Sequence, residues 1–294
     1  MANSKRVALA AGWTAVMLSA VLTGCGVHTT RTSAPHPRRS PHHQDTGAHP
    51  AHHKARRRPP TYRPKPTTIP IESSSFPTIM VMAMSQVPAI VKAGAQAPMF
   101  IPKPVSGSTV LYYDPVTVGP GSGVPGLIQR YQVTLSSPPD LVAQFSSGVF
   151  ANGKAALQNV QDTVSAMGLG YPQPGPVINV GSGVLATTGV VGAMNLLSWQ
   201  EGGWNVVVGD RARIPMRAAE QVAAYLHSYV LPTPASSGPD AGGVIAVTVE
   251  RQGSQCQIAW EEGKWVYRTE TYPTTSDAIA TALNLAVFMR PYPR

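Results

Sequence analysis

Cysteine is almost missing from this 294-residue chain: there are two, Cys25 and Cys256. At most one bridge can form, which excludes a small scaffold stapled by disulfides. Histidine is missing from most of the chain, because seven of the eight lie at or before His53 and only His227 follows. A lone histidine, in a helical pattern, gives little to a Ser-His or Cys-His mechanism. Gly121-Ser122-Gly123 and Gly181-Ser182-Gly183 lack the spacing of a nucleophile elbow, and no His-Glu-x-x-His occurs. The glycine-rich stretches make no phosphate loop. These absences argue against an enzyme and leave an undetected envelope hydrolase as the second alternative.

No apolar run reaches the roughly 20 residues of a comfortable membrane-spanning helix. The longest, residues 7–22, is interrupted mildly by Thr14 and Ser19, follows Lys5 and Arg6, and stops at Leu22-Thr23-Gly24-Cys25. A basic start followed by a short apolar region is the pattern of a secretory leader. The terminal aliphatic-small-small-cysteine sequence resembles the lipobox of bacterial lipoprotein precursors. The resemblance covers residues 1–26. It implies that residues 1–24 are removed and that Cys25 becomes the lipid-bearing N-terminus. It also implies a location on the extracytoplasmic face of the membrane. The covalent acyl lipid is then the only group carried, with no cofactor. Several chains on one cysteine hold firmly, at about 0.8 kcal/mol per buried methylene.

The charge of +9 is unevenly placed. Residues 26–70 hold nine Lys and Arg against one acid, Asp45, whereas 12 basic and 13 acidic side chains follow Pro70. Residues 25–70 thus form the lipidated cysteine and a linker rich in His, Pro and Arg, too poor in aliphatic side chains to fold. It is expected to be disordered and stiffened toward polyproline II. It suits a spacer that anionic headgroups or phosphate-bearing wall polymers would attract. Location, not charge, argues against nucleic acid.

From residue 71 the texture changes to periodic apolar patterns, giving one domain over 71–294. Trp199-Gln200-Glu201-Gly202-Gly203-Trp204 is echoed by Trp260-Glu261-Glu262-Gly263-Lys264-Trp265. Each lies between alternating runs, the signature of a hairpin. Turns at Glu201-Gly202 and Glu262-Gly263 would set Trp199 opposite Trp204 and Trp260 opposite Trp265, with Glu261 and Glu262 in solvent. Amphipathic patterns over 216–230 and 276–289 predict a helix after each hairpin. Thr275 or Ser276 would cap the second, with Asp277 in its first turn. The repeat spans about 184–232 and 244–291, with a degenerate copy at 108–168. The expected fold is α+β: an antiparallel sheet with amphipathic helices on one face, built from repeated hairpin-then-helix units. Alternation at Cys256, Ile258 and Trp260 puts the Cys256 thiol on a buried strand face, with no disulfide partner.

Two ligand chemistries suggest themselves. Trp199, Trp204, Trp260 and Trp265 could stack on sugars or peptides, against the plainer reading that they pack under the helices. Met80, Met82 and Met84 would share one face of a strand, and soft thioethers select Cu(I). With His42, His43, His49, His52 and His53 in the linker they make a copper-type metal-binding lipoprotein the first alternative. The favoured reading is a lipid-anchored envelope lipoprotein with a non-catalytic binding or assembly role.

Overall fold

The computed structural model describes residues 75–236 and 240–293. The motif Leu22, Thr23, Gly24 and Cys25, and the histidines at 42, 43, 49, 52 and 53, lie outside the described residues. Two short helices come first, α1 (Thr78–Met84) and α2 (Ala89–Lys92). Pro77 and Pro88 stand just before them, where a missing N–H costs nothing. The sequence pattern assigned Met80, Met82 and Met84 to a strand, and here the structure differs. Met80 and Met84 are one helical turn apart and buried at 0% and 2% exposure, whereas Met82 is 50% exposed. The three thioethers therefore do not converge.

Ten strands form the main sheet. They are β2 (Tyr112–Val118), β3 (Leu127–Ser137), β4 (Asp140–Phe150), β5 (Val177–Asn179), β6 (Leu185–Val191), β7 (Met194–Glu201), β8 (Trp204–Asp210), β9 (Gly243–Glu250), β10 (Gly253–Glu262) and β11 (Trp265–Thr271). Their order is β2-β3-β4-β11-β10-β9-β8-β7-β6-β5. All neighbours are antiparallel except β8 and β9, which are parallel. Parallel neighbours need a long crossover, and α4 (Met216–Ser228) lies within it. The other long helices are α3 (Gly153–Ala166) and α5 (Ala278–Val287). β1 (Gln96–Pro98) pairs with β12 (Met289–Pro291) as a separate two-stranded ribbon.

The architecture is α+β, but the helices occupy both faces of the sheet rather than one. Ala156, Val160 and Val164 of α3 pack with Val207, Val244, Ala246, Ala259 and Val266. The alternate residues Val206, Val208, Ile245, Val247 and Ile258 pack with α1, α2, α4 and α5 on the other side. The physical reason lies in β8 and β9. Val206-Val207-Val208 and Val244-Ile245-Ala246-Val247 are continuous apolar runs, which is how a strand covered on both faces reads.

Helix α5 is wrapped on all sides, with every residue from 278 to 286 buried. Two of its polar side chains find partners within the protein. Asn284 accepts from the Tyr225 hydroxyl of α4 at 2.7 Å, and the Thr281 hydroxyl donates to Ser276 O at 2.8 Å. Asp277, expected in the first turn, is itself the cap and accepts from Ala280 N. Among the described residues no helix is long and apolar enough to cross a membrane.

Candidate binding cleft beside Trp265

Both tryptophan-bearing hairpins form, with registers one residue later than the sequence suggests. Glu201 faces Trp204 and Glu262 faces Trp265, so the turns are Gly202-Gly203 and Gly263-Lys264. Gly202 and Gly263 then stand first in their turns with φ of 58° and 66°. Tight hairpins take glycine there because a side chain resists positive φ. Trp199 consequently faces Val206, and Trp260 faces Tyr267. Each indole instead donates to the carboxylate two residues on: Trp199 Nε1 to Glu201 at 3.4 Å and Trp260 Nε1 to Glu262 at 3.2 Å.

Three of the four candidate stacking residues are interior. Trp199, Trp204 and Trp260 are buried. The Trp204 and Trp260 rings lie 6.3 Å apart between centroids, and Trp260 lies 5.4 Å from Tyr267. The Trp204 ring also covers Gly243, where a Cβ would stand 2.5 Å away. None of these three presents a face to an outside ligand.

Trp265 differs. It is half-buried and lines an open cleft of about 450 Å³ together with Gly94, Gln96, Glu262, Tyr267 and Tyr292. One side of its indole rests on Gly94, so closely that a Cβ there would meet ring carbons at 2.6 Å. Tyr292 is held by its backbone N–H to Ala95 O at 2.9 Å and by the Phe76 ring at 5.1 Å. Burial, then the neighbouring Glu262 carboxylate, push the Tyr267 hydroxyl above its ordinary range, while a hydrogen bond from Gln96 opposes them. The cleft therefore offers an aromatic wall, a carboxylate and a carboxamide, and among the described residues no Lys, Arg or His lines it.

The adjacent glutamates part company. Glu262 borders the cleft, but Glu261 is only 2% exposed and not solvated as the sequence suggests. Its carboxylate accepts from Ser236 N at 2.7 Å and from Gly263 N at 2.8 Å. Its own backbone bonds Gly242 O and Ala235 N. Glu261 thus fastens the segment before β9 to the tip of the β10–β11 hairpin.

A second polar group lies where α3 crosses the sheet. Arg268 donates to Asn159 O and Asn159 Oδ1, both at 3.0 Å, and to Thr163 Oγ1 at 3.3 Å. Burial, then the nearby Arg130, bring its pKa down to about 10. Glu270, raised by burial, is steadied by Gln255 at 2.7 Å, by the Arg268 charge and by Gln257 at 3.1 Å. The Arg268 bonds join helix to sheet, whereas those of Glu270 tie β10 to β11. The sequence gives no warning of the Arg268 bonds, because their partners lie more than 100 residues away.

Cys256 is fully buried and free. Burial, then the Glu270 charge, push its thiol far up, which opposes the thiolate a nucleophile needs. His227 is exposed at the end of α4. Among the described residues no group of three His, Cys, Asp or Glu side chains is placed to hold a metal ion. The chain matches no protein-family model, no curated protein and no solved structure.

Proposed function

We propose that the chain is a lipoprotein anchored through Cys25, whose folded domain binds or assembles with components of the cell envelope without catalysing a reaction. The observation that carries this reading is the order of Lys5 and Arg6, the apolar run 7–22, and Leu22-Thr23-Gly24-Cys25. The stalk, residues 26–70, adds a concentrated positive charge, and each Lys or Arg near an anionic surface contributes about 1 kcal/mol. The test is mass analysis of the chain from a bacterial host that processes lipoproteins. An N-terminal peptide starting at Cys25 and carrying diacylglycerol is expected, and Cys25→Ser should release the chain from membranes. Residues 1–24 still attached, or a bare thiol at position 25, would overturn the reading. Pull-down on phosphate-bearing wall polymer, with and without residues 26–70, tests the stalk, because deletion should abolish retention.

The domain itself we read as three successive copies of three strands and a helix: β2-β3-β4-α3, β6-β7-β8-α4 and β9-β10-β11-α5. The later two copies support this in detail. Each has an indole bonded to the carboxylate two residues on, and each has glycine first in its turn. The first copy lacks the tryptophans, and its helix lies on the opposite face.

A further inference from the structure

We propose that the cleft beside Trp265 is a binding site for the ring of an uncharged carbohydrate. Three features of the site point to this chemistry. The first is a fixed aromatic wall. Gly94 supports one side of the indole so closely that any side chain there would displace the ring. An aromatic held in place loses little conformational entropy when a ligand stacks on it. The flat C–H face of a pyranose suits such a wall.

The second feature is the pair of planar polar groups at its rim. One oxygen of Glu262 already accepts from the Trp260 indole at 3.2 Å, which orients the carboxylate and leaves the other oxygen to accept from sugar hydroxyls. The Gln96 carboxamide stands beside the Tyr267 hydroxyl on a segment that the Gln96 backbone N–H pins to Ser147 Oγ at 3.1 Å. A few convergent polar groups beside an aromatic wall are what fix a small ligand's orientation.

The third feature is what the cleft rejects. Among the described residues its lining contains one carboxylate and no cationic side chain, which disfavours phosphate and carboxylate ligands. A volume near 450 Å³ suits a compact ligand better than an extended proline-rich peptide, which needs a longer groove. The envelope location proposed above supplies the physiological source of glycan, but the chemistry of the site does not depend on it.

The experiment is calorimetric titration of the detergent-solubilised full chain with N-acetylchitotetraose, cellotetraose and maltotetraose. Saturable binding of at least one is expected, weakened about tenfold or more by Glu262→Gln through loss of a charge-assisted hydrogen bond. Trp265→Ala should abolish it. Gln158→Ala, on the exposed flank of α3, should leave it unchanged. If Trp265→Ala proves unfolded by circular dichroism, Glu262→Gln and Gly94→Val carry the test. No saturable binding of any of the three at millimolar concentration would overturn the proposal. So would binding that Glu262→Gln leaves intact, or tighter binding of a proline-rich peptide. A lipidated chain without sugar binding sinks the site alone, and an unlipidated chain that binds sugar sinks the anchor alone.

Discussion

Glu261 and Glu262 are neighbours of identical chemistry in very different surroundings, so one substitution made at each position tests the architecture of the hairpin tip. In Glu261→Gln the side chain keeps its shape but exchanges a carboxylate oxygen for an N–H₂ group. Both oxygens of Glu261 are in use, accepting from Ser236 N at 2.7 Å and Gly263 N at 2.8 Å. Whichever way the amide turns, one backbone N–H faces another donor. A hydrogen bond to a charged group contributes about 1.5–3 kcal/mol, and a buried donor left without a partner costs about 1–3 kcal/mol. The two effects overlap, so a loss of about 2–4 kcal/mol is expected, or roughly 5–15 °C in melting temperature for a domain of this size. Glu262→Gln removes charge from a half-buried side chain that accepts from the Trp260 indole at 3.2 Å. It should cost under about 1 kcal/mol. Thermal unfolding followed by circular dichroism gives both numbers. Amide exchange should accelerate at Ser236 and Gly263 in Glu261→Gln alone. Equal melting temperatures for the two variants would refute the buried-clamp reading.

The remaining predictions use simpler perturbations. Met80→Ala should cost about 2–5 kcal/mol and Met82→Ala less than about 0.5 kcal/mol in urea unfolding; similar losses would restore a strand. Leu283→Ala, in the fully wrapped helix α5, should also lose about 2–5 kcal/mol by the same assay. The Cys256 thiol should resist iodoacetamide in the native chain and react once the chain is denatured. Because its folded pKa is raised, its contribution is fully present below the unfolded value of about 8.5 and is lost as pH rises above it. Wild type should therefore lose stability relative to Cys256→Ala in alkaline buffer. A constant difference between pH 7 and pH 10 would contradict the burial. Gly263→Ala should cost about 1 kcal/mol or more through its positive φ, read from the melting temperature.

Much of the secondary structure is legible in the residues, and the failures have specific causes. Helices α3 and α4 announce themselves by apolar spacings of three and four. Residues 80–84 are harder, because methionines two apart satisfy a strand period while the outer two satisfy a helical one. The flanking Pro77 and Pro88 are the only local hint of short helices. The hairpin register is ambiguous for a different reason. Moving the turn by one residue shifts both strands together, so Trp199 and Trp204 stay on the same face either way. Hydrophobic alternation therefore cannot detect the shift. The placement of α3 was readable in principle from the unbroken apolar runs of β8 and β9. The burial of Glu261 was not, because one of its partners, Ser236, is 25 residues away on another segment.

The location of the cleft follows from how the two hairpins meet their neighbours. Trp204 and Trp265 occupy corresponding places, each first in the strand after a tight turn. Strand β8 lies beside β9, whose Gly243 gives the Trp204 indole room to lie flat, and β10 brings Trp260 to cover it. Strand β11 lies instead beside β4, where Trp265 meets Val149. Among the described residues no second indole arrives from that side. Its support comes from Gly94 in another layer, and its flank is left to Tyr292 near the end of the chain. Two copies of one sequence pattern thus give a closed aromatic cluster at one junction and an open aromatic wall at the other. The difference lies in which strand stands next in the sheet, a tertiary fact that the two Trp-x-x-x-x-Trp motifs do not encode.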